Sequence, residues 1–228
     1  SLAVFGEEEK QAVLESMDNH WLASGPNVAK FEVKVARLFG KRYGIAVNSG
    51  SSANILAFQS LDIKEGSEVI TPACNFSTTV SSIILSKLAP VFVDCVIGRY
   101  TINEDLIEKA IGKKTKAIMV PQLVGAVCDM YKIKKIAKKY NLLVIDDSCD
   151  TIAPSIKGKQ VARYSDITTT SFYGSHIITA LGVGGMVLTD SKKIRDNCVM
   201  LRDWGRVGSD DEVFEKRFNY KIDGIPFD

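Results

Sequence analysis

Short runs of consecutive apolar residues, each followed by a stretch with helical spacing, constrain this chain more than any other feature. Ile45-Ala46-Val47 precedes a helical pattern from Ser51, and Glu68-Val69-Ile70 precedes one from about Phe76. Val91-Phe92-Val93 precedes one from Asn103, and Ala117-Ile118-Met119-Val120 precedes a lysine-rich helix over Asp129 to Tyr140. Leu142-Leu143-Val144-Ile145 then runs into an acidic pair. Strands that are apolar without alternation must be covered on both faces, which is the condition of parallel strands joined by crossover helices. The expected class is therefore α/β, with a mostly parallel sheet and helices on both faces.

Further strands are expected over Ile167 to Phe172 and Gly185 to Thr189, followed by a helix from Ser191 to about Trp204. Before the first strand, Gly6 to Asn19 suits a helix whose acidic first turn, Glu7-Glu8-Glu9, complements the positive end of its dipole. A second helix has Pro26 near its first turn and Val28, Phe31, Val35 and Leu38 along one face. Lys157 and Lys159 flank a glycine in what reads as a surface hairpin, and Ser209-Asp210-Asp211-Glu212 reads as an exposed excursion.

With 46% hydrophobic residues among 228, the chain can bury a substantial core. Its 29 basic and 27 acidic residues nearly cancel, which removes the electrostatic footprint of a nucleic-acid binder. No apolar run approaches the roughly 20 residues of a membrane-spanning helix. The opening residues have neither the length nor the charge of a signal peptide. Cys74, Cys95, Cys128, Cys149 and Cys198 are dispersed without a CxxC pair, so they read as buried free thiols of a reducing cytoplasm, with no metal site. The chain opens without Met and stops abruptly at Gly224-Ile225-Pro226-Phe227-Asp228, the pattern of a fragment.

Sheets of this class carry their chemistry on loops beyond the carboxyl ends of the strands. Asn48-Ser49-Gly50-Ser51-Ser52-Ala53-Asn54 lies at such a loop. Small residues and a helix start suit an anion, although a serine N-cap explains the same pattern. Asp146-Asp147-Ser148-Cys149-Asp150 places carboxylates at another, suited to a cationic heterocycle, a metal or a helix cap. In Thr71-Pro72-Ala73-Cys74-Asn75-Phe76, the aromatic ring suits stacking or the core. Ser171-Phe172-Tyr173-Gly174-Ser175-His176, running on to Gly182-Val183-Gly184-Gly185, supplies one of only two histidines. The other, His20, ends a polar helix and reads as a surface residue.

In their order and spacing, from Trp21-Leu22-Ala23-Ser24-Gly25-Pro26 through Leu201-Arg202-Asp203-Trp204-Gly205-Arg206, these loops resemble the DegT/DnrJ/EryC1/StrS family of sugar-modifying pyridoxal-phosphate enzymes. The resemblance implies an aspartate-aminotransferase-like (type I) large domain with a mostly parallel mixed sheet over residues 1–228, and a homodimer with active sites at the subunit interface. It also implies a smaller carboxyl-terminal domain beyond this chain. Gly50, Ser51 and Ser171 would grip the cofactor phosphate, Phe76 would stack on the ring and Asp147 would pair with the pyridinium nitrogen. Asp150 stands near the ring where the family usually has Gln or His, and Gln122 replaces a frequent His.

The family's cofactor lysine is replaced by His176. A lysine holds pyridoxal phosphate as an imine and shuttles protons; an imidazole can only move protons. Within the family, histidine here marks 3-dehydratases acting on nucleotide-linked 4-keto-6-deoxyhexoses, which use pyridoxamine phosphate. The expected reaction is that dehydration, in deoxysugar and cell-surface polysaccharide biosynthesis, with His176 as acid and base. One dehydratase branch carries iron–sulfur cysteines just after the Arg-Asp-Trp-Gly-Arg motif; residues 207–218 contain none, which favours the cluster-free branch that regenerates its cofactor from glutamate. The competing readings are a sugar aminotransferase using another amine, Lys157 and Lys159 being nearest in sequence, and a non-catalytic cofactor-fold protein.

Overall fold

The computed structural model describes residues 3–20, 22–206, 220–222 and 225–227. The expectations placed on Trp21 and on the excursion and cluster segment after Arg206 lie outside the described residues. In chain order the elements are α1 (Glu7–Asp18), α2 (Pro26–Phe39), β1 (Tyr43–Val47), α3 (Gly50–Gln59), β2 (Glu68–Pro72), α4 (Ser77–Leu85) and β3 (Ala89–Val93). There follow α5 (Ile107–Ala110), β4 (Thr115–Pro121), α6 (Met130–Tyr140), β5 (Leu143–Asp147), β6 (Ser155–Ile156), β7 (Lys159–Gln160) and β8 (Ile167–Ser171). The last are β9 (Gly185–Thr189), α7 (Lys192–Arg202), β10 (Tyr220–Ile222) and β11 (Ile225–Phe227).

A seven-stranded sheet runs in the order β1-β9-β8-β5-β4-β2-β3. Strands β8, β5, β4, β2 and β3 pair in parallel, whereas β9 is antiparallel to both of its neighbours. The strand pleat sorts the apolar runs between two faces. Val69, Met119, Ile145 and Val187 join Ala53, Ala57 and Ile83 of α3 and α4 in one cluster, together with Cys198 and Val199 of α7. Ile70, Ile118, Val120 and Val144 join Ile107 of α5 and Ile133 and Ile136 of α6 in another. Met186 and Leu188 extend that second face under α2, against Val35, Ala36 and Phe39. Both faces are covered, so the strands need no polar side. Each fully buried isoleucine contributes about 1.5–3 kcal/mol by leaving water.

Three expectations need correction. Leu38 is 45% exposed, and Phe39 is fully buried in its place. Both positions fit a helical stripe with Val35, but the buried stripe runs through Val35, Ala36 and Phe39, which pack with Met186 and Leu188 of the sheet. The helix expected from Asn103 is a single turn, Ile107–Ala110. The preceding stretch is held otherwise, with Asn103 N–H donating to Asp94 O at 2.8 Å and Glu104 accepting from the Asp129 amide at 2.9 Å. The cysteines are free but not uniformly buried: Cys128 and Cys198 are, Cys95 and Cys149 are half-buried, and Cys74 is exposed in the loop after β2.

Because β1 and β8 both oppose β9, the carboxyl ends of β1, β2, β4, β5 and β8 share one edge of the sheet. The loops leaving that edge build the site. Among the described residues, no helix is long and apolar enough to cross a membrane.

Candidate active site

A cavity of about 490 Å³ opens at this edge and is lined by all seven residues singled out in the sequence: Gly50, Ser51, Phe76, Asp147, Asp150, Ser171 and His176. Its lining residues, all described, include no lysine. Lys157 and Lys159 belong to the β6–β7 hairpin, away from it, and His20 is exposed at the end of α1.

At one end lies the first turn of α3. Ser49 caps it, its Oγ accepting from Ser52 N–H at 3.1 Å, so the first amides of the helix present partial positive charge. Gly50 is packed so tightly that a Cβ there would come within 2.7 Å of Cys149 Sγ and 2.8 Å of Ser171 Cβ. Gly185 of β9 meets the same turn from behind, where a Cβ would fall 2.2 Å from Ser49 O. These contacts bring the α3 amides and the hydroxyls of Ser51 and Ser171 into one small cradle, which fits a phosphate. The Ser171 Oγ also accepts from Tyr173 N–H at 3.3 Å, tying it to the loop that follows.

Asp147, at the end of β5, is 4% exposed. Its Oδ2 accepts from Asn54 Nδ2 at 2.8 Å and Thr79 Oγ1 at 2.7 Å, and its Oδ1 accepts from Cys149 N–H at 3.2 Å. Asn54 is itself held by Thr169 Oγ1, which donates to its Oδ1 at 2.6 Å. Neutral donors on both oxygens hold the carboxylate in one orientation, which fits a protonated ring nitrogen. Phe76 caps α4 and leaves its ring 62% exposed over the cavity, available to a flat heterocycle.

His176 rides on a ribbon continuing the β8–β9 ladder: Phe172 N–H donates to Gly184 O at 2.9 Å and Gly174 N–H to Gly182 O at 3.0 Å. Its Nε2 lies 4.0 Å from Asp150 Oδ1, and Tyr173 packs edge-on against its ring at 5.8 Å. Its Nδ1 is buried without a hydrogen-bond partner, an orphan that a substrate or cofactor polar group would satisfy.

Gln122 lines the cavity but its side chain is fully buried and committed elsewhere, donating to Asp146 Oδ1 and accepting from Cys128 N–H, each at 2.8 Å. Asp146 points to the opposite face of β5 from Asp147. Burial pushes its carboxyl up to about 6, against the opposing effect of donors from Gln122, Thr168 and Ser148. The sequence reading missed Asn54, Thr79 and Thr169 as braces of Asp147. Asn54 had a readable signal, since it lies one helical turn beyond Gly50 and shares its face.

A relative in Saccharopolyspora spinosa, dTDP-4-dehydro-2,6-dideoxy-D-glucose 3-dehydratase, is 38% identical over 98% of this chain and 51% of its own length. The aminotransferase from Psychrobacter cryohalolentis, a solved structure, superposes with a TM-score of 0.88 at 30% identity, covering 93% of this chain and 55% of that one. GDP-4-keto-6-deoxymannose-3-dehydratase, solved with a trapped PLP-glutamate geminal diamine, superposes with a TM-score of 0.84 at 28% identity, covering 90% and 55%. The chain spans about half the length of the curated relatives it matches first. With a family model matching residues 4–226, the chain belongs to the DegT/DnrJ/EryC1/StrS aminotransferase family.

Proposed function

We propose that this chain forms the cofactor half of an enzyme that uses pyridoxal or pyridoxamine phosphate to remove the C3 hydroxyl of a nucleotide-linked 4-keto-6-deoxyhexose. The reading places it in deoxysugar biosynthesis for a cell-surface polysaccharide such as lipopolysaccharide, as a cytoplasmic homodimer. Gly50, Ser51 and Ser171 would hold the phosphate, Phe76 the ring face and Asp147 the ring nitrogen. Asp150 would flank the ring beside His176. The cofactor, when bound, supplies an electron sink.

The observation that carries the reading is His176 in a cavity whose lining has no lysine. An imidazole can accept a proton at one ring nitrogen and hand it to the C3 hydroxyl, which leaves as water. It cannot hold the cofactor covalently, so the cofactor would be held by the phosphate cradle, Phe76 and Asp147 alone. The half-exposed carboxylate of Asp150, 4.0 Å from Nε2, would orient the ring while the proton is transferred. Tyr173 limits the ring's rotation from the other side. Regeneration by glutamate completes the proposal, supported by the glutamate adduct trapped in the solved 3-dehydratase.

A sugar aminotransferase is the second reading, favoured by the likeness to the Psychrobacter enzyme. Borohydride reduction of the protein loaded with pyridoxal phosphate separates the two. No cofactor mass on the protein, together with conversion of bound cofactor to its amine form by glutamate, supports the dehydratase. An adduct at a lysine overturns it. His176→Asn should abolish sugar dehydration while keeping cofactor bound; unchanged turnover removes His176 from the chemistry.

A further inference from the structure

The turn after β4 leaves the sheet at Pro121, lines the cavity through Gln122 and Leu123, and returns at Cys128 before α6. Its base is closed by one side chain. Gln122 Oε1 accepts from Cys128 N–H at 2.8 Å, while its Nε2 donates to Asp146 Oδ1 at 2.8 Å. The amide cannot be reversed, because a backbone N–H only donates and an ionised carboxylate only accepts. Gln122 N–H donates to Asp147 O at 2.9 Å, so the same residue is also tied to the strand that ends in Asp147.

At the apex of this turn Val124 sits at φ 48° and ψ 30°, a left-handed conformation that costs a β-branched residue on the order of 1–3 kcal/mol. Its side chain is 74% exposed and gains no burial in return. What the strained backbone achieves is a contact: Val124 N–H donates to Asp150 Oδ2 at 3.2 Å. The other oxygen of that carboxylate is the one facing His176 Nε2 at 4.0 Å.

We propose that Gln122 is a positioning residue, which staples the turn of residues 122–128 to Asp146 so that the Val124 amide holds Asp150 beside His176. The kinetic consequence rests on the dehydratase reading; the staple itself does not. A displacement of Asp150 by about 1 Å would misplace the charge facing His176, an error that costs up to about 100-fold in rate. Cofactor affinity should be spared, since Gln122 spends both ends of its amide on the protein.

The test is Gln122→Leu in the intact protein loaded with pyridoxamine phosphate, read by amide hydrogen exchange of residues 122–128 and by turnover. Exchange at the Val124 amide should rise about 10-fold or more, and kcat should fall roughly 10–100-fold with KM little changed. Adding Asp150→Asn to Gln122→Leu should cost less than the product of the two single losses. Gln122→Met, which keeps the length of the side chain while losing both hydrogen bonds, should show the same rise in exchange and serves if the leucine variant does not fold. Wild-type exchange in both variants, or strictly multiplicative kinetic losses, would overturn the proposal. If the wild type dehydrates no sugar, the functional reading fails while exchange at Val124 still decides the staple.

Discussion

Asn54, one turn into α3, donates its side-chain amide to Asp147 Oδ2 at 2.8 Å across the base of the cavity. The helix that would grip the phosphate therefore also fixes the carboxylate that would meet the ring nitrogen. Thr169 on β8 orients Asn54 by donating to its carbonyl, so both ends of that amide are assigned. The expected outcome of Asn54→Ala follows from losing a bond to a charged group, worth about 1.5–3 kcal/mol. Affinity for pyridoxal phosphate should fall by about 10–100-fold, measured by absorbance titration. Unchanged affinity would mean that Asp147 needs no bracing from α3.

Gly50→Ala tests the cradle itself. A Cβ at that position would lie 2.7 Å from Cys149 Sγ and 2.8 Å from Ser171 Cβ, too close for either to stay in place. Overpacking of this kind typically costs about 1–3 kcal/mol. The variant should show a lower urea midpoint and weaker binding of the phosphorylated cofactor, with little further loss for the unphosphorylated vitamer. Adding Cys149→Ala should recover part of the stability by removing one of the two collisions. Full recovery by that second change would show that Ser171 does not confine the turn.

Asp146 provides a pH-dependent contribution to stability. Burial raises its carboxyl to about 6, so over the interval from about pH 4 to 6 the folded state binds more protons than the unfolded one. Stability from this group consequently falls as pH rises through that interval, by on the order of 3 kcal/mol in total. In Asp146→Asn the ionisation is removed. Urea unfolding at pH 4.5 and pH 7.5 should show the asparagine variant gaining on the wild type at the higher pH. A stability difference independent of pH would mean that Asp146 is not the titrating group.

The parallel strands were readable because burial on both faces leaves continuous apolar runs, and the site loops because each follows such a run. The reversal of β9 left no mark, since Gly185–Thr189 is as apolar as the parallel strands and is buried in the same way. Leu38 and Phe39 could not be separated by period alone; the choice depended on which of them faces Met186 and Leu188. Gln122 was visible as a departure from the family pattern, but its partners, Asp146 and Cys128, come together only through the register of β4 on β5. The bracing of Asp147 by Thr79, and of Asn54 by Thr169, likewise joins elements far apart in the chain.

The cysteines give a last, graded expectation. Cys74 is exposed beside Phe76, and Cys95 is half-buried. Burial pushes the Cys128 thiol up to about 12 and the Cys198 thiol up to about 11. Cys149 is also raised well above the usual thiol range, by burial first and then by the nearby charge of Asp147. Because only the thiolate is nucleophilic, the three raised thiols should be inert at pH 8 while the fold is intact. Native-state alkylation followed by mass spectrometry should label Cys74 first and Cys95 more slowly. Cys128, Cys149 and Cys198 should be labelled only after denaturation. Since Cys74 is separated from Phe76 by one residue, bound cofactor should slow its labelling; equal rates with and without cofactor would argue against Phe76 lying over the ring.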